Sequence, residues 1–396
     1  MKLLFHSYCY PPLRYPRSIQ VARLAAHLPG GNVTVVCAEE ETEGDLSLLE
    51  AYPDTGREVV RVPWGRLRSR LASASERLAE KVLIPDRYRL WQSGAANAVE
   101  RRGLLENADA LVTFGQPMSD HLFGLRLARA SRRIPWIAHF SDPWADNPFR
   151  VRGRLGRSLN LRLEARVAEQ ADALVFTAEE QRDLVLAKYP APLGAKAHVV
   201  PHAHDPALYP EPTEQGDSLV ARYIGTFYGN RSPEPLLRAL QALTERQPVA
   251  LRGVRVEFVG AGRLPEESSL EFVGVRGPVD YLESLELMRA SDLLLVVDAP
   301  GETSPFLPSK LIDYAGARRP IVAIAPEGPS ASLIRRLGGW QANPSDPVAG
   351  AAALAEGLSA ARDRPRRWGR DEVVRSYTAG VIARRFLDVI EAIAPR

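Results

Sequence analysis

Cysteine and long apolar runs are the scarcest features of this 396-residue sequence. Its two cysteines, Cys9 and Cys37, fall in short apolar runs, so we expect small buried side chains rather than a disulfide or a metal pair. No apolar run approaches the roughly 18–20 residues that a membrane-spanning helix needs, and the N-terminal run turns polar too early for a signal peptide. These absences predict a cytoplasmic protein, with any membrane contact peripheral at the inner face.

Several motifs of catalysis and binding are also missing. There is no zinc-spaced Cys/His set, Gly-x-Ser-x-Gly elbow, Walker loop or EF-hand loop. Gly260 and Gly262 do not extend into the six-residue glycine motif of dinucleotide-binding proteins. Hydrolase and dehydrogenase functions are therefore disfavoured. Because no Asp-x-Asp pair is present to hold a metal diphosphate, we expect a reaction that uses no metal.

What is present describes a folded protein of two parts. The chain is 45% apolar and 25% charged, a composition typical of globular proteins. Its length exceeds the roughly 250–300 residues at which single cores stop growing, so we expect two domains. The formal net charge of +3 does not predict binding to nucleic acid.

Positive charge is concentrated in the first half. Between Arg61 and Arg102 there are ten Arg or Lys residues against four Asp or Glu, and a second cluster follows from Arg150 to Arg157. A solvated helical face and a surface that attracts an anionic acceptor or phospholipid are both consistent with this distribution.

Short apolar strands alternate with helical patterns along the whole chain, for example at Lys2–Ser7, Asn32–Ala38 and Trp136–Phe140. This alternation predicts parallel sheets covered on both faces, with ligands beyond the carboxyl ends of the strands. The pattern breaks in the proline-rich stretch Asp205–Asp217, and we place a domain boundary there, near residue 212. The predicted units are residues 1–211, residues 212–378 and a helix within 379–396 that packs back on the first domain.

One segment, Pro308–Ala323, joins a helix start to an apolar strand. Ser309 is a candidate N-cap, and the first turn of a helix carries partial positive charge that suits a diphosphate. Lys310 adds a cation there, and Asp313, three residues on, lies on the same helix face, where it can accept hydrogen bonds from ribose hydroxyls. A surface helix with an incidental Lys and Asp is the alternative.

This segment resembles the donor motif of family 4 retaining glycosyltransferases, which have the GT-B fold of two Rossmann-like domains facing across a cleft. The family pattern Pro-Ser-Lys-Leu-x-Glu-Tyr corresponds to Pro308–Tyr314, with Leu311 matching and Asp313 in place of Glu. A second family Glu lies eight residues earlier, where this chain has Pro305, and Glu302 is the nearest substitute.

The resemblance extends to other donor segments. Gly225, Thr226 and Arg231 match a glycine-containing loop in which a basic side chain faces the diphosphate, and Arg231 would be that cation. Gly260 matches the next strand-end turn, and main-chain groups near Arg276 would contact the nucleotide base. Ordinary turns and loop packing are the alternative for both.

The first domain carries the expected acceptor side. His139 and Asp142 match a strand-end segment, with His139 bonding the transferred sugar and Asp142 orienting an acceptor hydroxyl; a buried structural histidine is the alternative. The loop after the first strand carries Arg14 and Arg17 where the family often has glycines. These arginines would bind an anionic acceptor or the donor phosphate, unless they are merely solvated.

Together these features predict a glycosyltransferase that moves a sugar from a nucleotide diphosphate donor to a glycan, lipid-linked or small-molecule acceptor. The resemblance implies retention of configuration, and no cofactor is expected beyond the donor itself. Cations at the phosphate, Arg231 and Lys310, would stabilise the departing diphosphate. Two rival functions stay open, a nucleotide-sugar epimerase and a catalytically inert GT-B-like subunit that binds a partner.

Overall fold

The structure is a computed structural model that describes residues 1–30, 32–39, 44–64, 83–127, 134–149, 153–211, 216–262, 264 and 270–394. The described chain is α/β and divides into two compact units. The first comprises Met1–Pro201 and Gly380–Arg396, and the second His202–Ala379. Each contains one parallel sheet with the predicted alternation of strands and helices.

The first unit has a seven-stranded sheet in the order β3-β2-β1-β4-β5-β6-β7. Its strands are β1 Lys2–His6, β2 Asn32–Glu39, β3 Glu58–Pro63, β4 Ala110–Gly115, β5 Trp136–Phe140, β6 Ala173–Phe176 and β7 Ala197–Val199. Its helices are α1 Pro16–His27, α2 Ser47–Ala51, α3 Arg89–Arg101, α4 Asp120–Leu127, α5 Arg154–Gln170 and α6 Glu179–Leu186. Every residue of β4 and β5 is buried, because helices cover both faces of a parallel sheet.

The second unit has a six-stranded sheet in the order β10-β9-β8-β11-β12-β13. Its strands are β8 Leu219–Ile224, β9 Val254–Val259, β10 Val273–Arg276, β11 Leu293–Val297, β12 Ile321–Ile324 and β13 Trp340–Ala342. Its helices are α7 Glu234–Arg246, α8 Tyr281–Arg289, α9 Ser309–Ala317, α10 Pro329–Leu337, α11 Pro347–Arg362 and α12 Asp371–Ser376. The core of the unit forms where α7 and α11 cover the central strands.

Each sheet has a point at which the strand order reverses. In the first unit it lies between β1 and β4, and in the second between β8 and β11. Connections leave the two strands toward opposite sides at such a point, which opens a crevice at their carboxyl ends. The loops that follow β1, β4, β8 and β11 are therefore the places where ligand contacts are expected.

The division between the units falls at Pro201 rather than near residue 212. The main chain of His204 is hydrogen-bonded to Tyr377 and Ala379, and the Tyr209 hydroxyl donates to the carbonyl oxygen of Asp313 at 2.8 Å. These contacts hold the proline-containing segment in the second unit, so it is not the linker that its composition indicated.

The last helix, α13 (Ala379–Ile393), lies almost entirely in the first unit. Arg385 donates to the carbonyl oxygen of Val199 at 3.0 Å, and the Phe386 ring lies 6.1 Å from that of His139. The end of the chain thus contributes to the surroundings of a predicted site residue. Within the described residues, no helix combines the length and apolar character needed to cross a bilayer.

Candidate functional site

Two glycines mark the carboxyl ends of neighbouring strands in the second unit. Gly225 follows β8 with φ +140° and Gly260 follows β9 with φ +74°, conformations that favour glycine. A Cβ at Gly225 would lie 3.5 Å from Nζ of Lys310, and one at Gly260 would lie 3.7 Å from the Gly225 carbonyl. The two turns and Lys310 therefore approach one another closely.

The N–H groups of these glycines are already used by the sheet. Gly225 donates to the carbonyl oxygen of Val259 at 2.9 Å, and Gly260 donates to that of Arg276 at 3.0 Å. The two glycines therefore allow the turns and Lys310 to approach one another closely, but they offer no free main-chain N–H group to a ligand. Thr226, the next residue of the first loop, is exposed.

Lys310 lies in the first turn of α9. Its ammonium donates to the Tyr223 hydroxyl at 2.8 Å and sits 4.0 Å from the centre of that ring. Burial and, to a smaller extent, repulsion from Arg231 lower the pKa of Lys310 to about 7. The charge of Asp298 acts in the opposite direction. This lysine is therefore a cation that titrates near neutral pH.

Arg231 is buried at the end of the loop after β8. Its Nε donates to Oδ1 of Asp298 at 2.7 Å, and its guanidinium lies 4.8 Å from the centre of the Tyr228 ring and 5.5 Å from that of Phe306. The carboxylate and the two rings fix the orientation of the guanidinium.

Asp298 follows β11, at the point where the strand order reverses, and sequence reasoning missed it. Its Oδ2 accepts from the Ser304 hydroxyl at 2.9 Å, and its Oδ1 also accepts from the N–H of Ala299 at 2.8 Å. An acidic residue directly after a five-residue apolar run was the available signal. Its partner Arg231 is 67 positions away, so spacing could not reveal the pair.

The other residues of the predicted donor motif are Ser309, Leu311 and Asp313, and the structure places them differently with respect to the helix end and the core. Pro308, not Ser309, precedes α9 and no side chain caps it, so the predicted N-cap role of Ser309 is wrong. Leu311 is 0% exposed, and its side chain packs in the core. Asp313 is also buried, on the same helix; its contact with ribose stays a prediction.

Arg276 lies at the end of β10 and is exposed. Its guanidinium donates to the Glu283 carboxylate of α8. Contact between this segment and a nucleotide base stays a prediction.

In the first unit, Arg17 and His139 come together beside the strand reversal. Arg17 is 5% exposed, so the alternative of a solvated arginine is excluded for this residue, although Arg14 is exposed. The Arg17 guanidinium donates to the Gly115 carbonyl oxygen, and its Nη1 lies 3.4 Å from Nδ1 of His139. Burial lowers the pKa of Arg17 to about 10, while Asp142 acts in the opposite direction.

Asp142 joins the same network through the end of β4. Its Oδ2 accepts from Nε2 of Gln116 at 2.5 Å, and the N–H of Ser141 donates to the carbonyl oxygen of Gly115 at 3.1 Å. β5 ends at Phe140 and the chain bends before Asp142, so Asp142 can join the network that contains His139. Sequence reasoning did not identify Gln116.

The basic clusters lie partly outside the described residues: residues 65–82 and 150–152 include seven of their basic side chains. Arg61 is paired with Asp54 at 2.9 Å, and Arg157 with Asp146 at 3.0 Å. Local pairing of this kind reduces the charge that these arginines offer to a ligand.

In both units the buried arginine and its partners lie at the carboxyl ends of strands beside the strand reversal. Two Rossmann-like units of this kind define the class of GT-B proteins. Residues 18–203 match the glycosyl transferase 4-like domain. This match confirms the resemblance to family 4 glycosyltransferases. No curated protein sequence matches the chain.

Three solved structures show how widely the fold is shared. Sucrose-phosphate synthase (tll1590) from Thermosynechococcus elongatus has a TM-score of 0.72 and 15% identity, covering 99% of both chains. The E. coli structure described as trehalose-6-phosphate bound with UDP-2-fluoro glucose has a TM-score of 0.68 and 14% identity, covering both chains fully. A Listeria monocytogenes protein described as a UDP-N-acetylglucosamine 2-epimerase has a TM-score of 0.57 and 13% identity, covering 98% of this chain and 96% of its own.

Proposed function

We propose that this glycosyltransferase takes its sugar from a nucleotide diphosphate that binds in the second unit. The observation that carries the proposal is the pair of basic side chains, Arg231 and Lys310, around Gly225 and at the start of α9. A helix N-terminus and two cations complement the charge that develops on a departing diphosphate. The E. coli neighbour carries a UDP-sugar, which makes UDP-sugars the first donors to test.

The acceptor side is proposed in the first unit. Asp142 orients the acceptor hydroxyl, His139 hydrogen-bonds the transferred sugar, and Arg17 receives an anionic group of the acceptor or the donor phosphate. These assignments are supported by the network that links the three side chains through Gly115 and Gln116. Arg14, exposed nearby in sequence, contributes only a screened attraction.

The resemblance to family 4 retaining enzymes supports a finer mechanism for this proposal. Transfer proceeds with retention and without metal, and an oxygen of the donor phosphate helps to remove the acceptor proton. Among the described residues there is no group of three or more His, Cys, Asp or Glu side chains placed to hold a metal ion. Peripheral contact with an anionic membrane remains part of the proposal for a lipid-linked acceptor.

The experiment is a panel of nucleotide sugars, first screened by thermal shift and then incubated with candidate acceptors, with products identified by mass spectrometry. A stabilising nucleotide sugar and a glycosylated acceptor are expected, because selective binding raises the melting temperature. Conversion of the donor sugar without an acceptor would instead establish an epimerase. Stabilisation without hydrolysis or transfer across the panel would favour an inert binding subunit.

A further inference from the structure

Asp298 has no part in the proposed binding of phosphate, yet its side chain is buried and held by several hydrogen bonds. Its side chain is 3% exposed, and three donors converge on it: Nε of Arg231, the hydroxyl of Ser304 and the N–H of Ala299. A buried carboxylate is costly unless it is paired and hydrogen-bonded. Here both conditions are met, and the geometry of the carboxylate is fixed.

Arg231 and Lys310 repel each other in this part of the fold. Lys310 contacts the ring and hydroxyl of Tyr223, while the charges of both Arg231 and Asp298 act on that same tyrosine. Bringing two cations together in a buried part of the fold is unfavourable, and the penalty grows as the local dielectric falls. The site therefore needs a negative charge to hold both before any ligand arrives.

We propose that Asp298 is a positioning residue of the nucleotide-sugar site: it fixes Arg231 by an ion pair and offsets the repulsion between Arg231 and Lys310. The inference rests on the proposed function for its purpose, but its physical content concerns the ligand-free protein. Asp298 does not touch the diphosphate. It sets the direction of one cation and the charge state of the other.

The groups that surround Lys310 allow the effect of the Asp298 charge on this lysine to be isolated. Tyr223 comes from β8, Arg231 from the loop after β8 and Asp298 from the end of β11, while Tyr314 of α9 acts on Tyr223. Burial raises the pKa of both tyrosines above their ordinary value, so they stay neutral near pH 7. Asp298 is therefore the negative charge that opposes Arg231 at this lysine.

The chain offers a direct measurement because it contains only five lysines. Lysine labelled with ¹³C at Cε can be followed by NMR through a pH titration of the ligand-free protein, with Lys310→Met assigning the signal. Asp298→Asn should lower the titration midpoint of Lys310, which begins near pH 7, by roughly one unit. Arg231→Gln should raise it, and the double variant should return toward the wild-type value.

A matched control is available on the same sheet. Glu257 is also a buried carboxylate, and its Oε2 accepts from Nε of Arg222 at 2.7 Å. Glu257→Gln should leave the Lys310 titration unchanged. If Asp298→Asn does not fold, Ser304→Ala removes only one hydrogen bond to the carboxylate and should move the midpoint downward by a smaller amount.

A binding experiment separates this inference from the proposed function. The affinity for UDP, measured by calorimetry, should fall about tenfold in Asp298→Asn at pH 7.5 and less at about pH 5, where Lys310 is largely protonated in both proteins. If the wild type does not bind UDP, the choice of nucleotide fails while the lysine titration still decides the role of Asp298. A Lys310 midpoint that is the same in wild type and Asp298→Asn would overturn the proposal.

Discussion

The two units each bury one arginine beside a strand reversal, and they compensate its charge differently. Arg231 forms an ion pair with Asp298 at 2.7 Å. Arg17, within the described residues, forms no ion pair, and its Nε is buried without a hydrogen-bond partner. Its guanidinium instead contacts the carbonyl oxygen of Gly115 and the ring of His139. One arginine is paired with a protein carboxylate, and the other has no ion pair within the described residues.

This difference predicts that Arg231 takes its counter-charge from the protein, whereas Arg17 needs a bound anion for its counter-charge. A buried charge without a counter-charge costs free energy, and an anionic ligand recovers it. Arg17 should therefore weaken the free protein and strengthen the complex. Arg231 should stabilise the free protein through its pair with Asp298, so that less of its charge remains for attracting a ligand.

The largest expected effect is on stability. Asp298→Ala leaves Arg231 buried without its carboxylate and should reduce the free energy of unfolding by about 3–5 kcal/mol. Arg17→Met removes a charge that has no ion-pair partner in the described chain, so it should leave stability unchanged or raise it. Urea unfolding of both variants measures the contrast, and equal losses would show that the two arginines are compensated alike.

Next in size is the loss of donor affinity on removing Lys310. Charge-assisted hydrogen bonds contribute about 1.5–3 kcal/mol, so Lys310→Met should weaken binding of the selected nucleotide roughly 10- to 150-fold. Calorimetry measures the change, with the exposed Lys2→Met as the control. Unchanged affinity in folded Lys310→Met would remove this residue from the donor site.

A pH effect should accompany donor binding. Lys310 is largely neutral above its pKa of about 7, and a bound phosphate raises that pKa by favouring the charged form. Binding at pH 8 should therefore take up a proton, and affinity should fall as the pH rises from 7 to 9. Calorimetry in buffers of different ionisation enthalpy reports the uptake, which Lys310→Met should abolish.

The smallest expected effect distinguishes Arg17 from Arg14. Arg17→Gln should raise the acceptor Michaelis constant more than the donor's, and this effect should persist at high salt because Arg17 is buried. Arg14→Gln should give a weaker effect that disappears as salt screens it, with a Debye length of about 8 Å at physiological ionic strength. Donor binding should respond less than acceptor capture to salt. Acceptor kinetics that neither substitution alters would remove both arginines from the acceptor site.

Sequence patterns predicted the parts of this fold that depend on local order. Continuous apolar runs located strands such as β5, Trp136–Phe140, and the helix start at Ser309 was also predicted. The pairs that complete the sites were not predicted, because Arg231–Asp298 and Gln116–Asp142 join loops after different strands, 67 and 26 positions apart in sequence. Their contact depends on strand order, which periodicity does not reveal.

Burial was the second feature that local patterns could not give. Arg17 follows an apparent surface loop rich in proline and arginine, yet it lies beneath the end of β4, bonded to Gly115. The depth of a side chain at a strand reversal depends on the neighbouring strand, here one almost 100 positions away in sequence.

Hydrogen–deuterium exchange with UDP, or with the nucleoside diphosphate that most stabilises the protein, tests the central claim most directly. If the donor site lies in the second unit, exchange should slow in peptides that contain Gly225–Arg231 and the first turn of α9, because these segments would enclose the diphosphate. Lys310→Met should lose that protection at the same nucleotide concentration. Protection confined to the first unit, with these two segments unchanged, would contradict the assignment of the donor site.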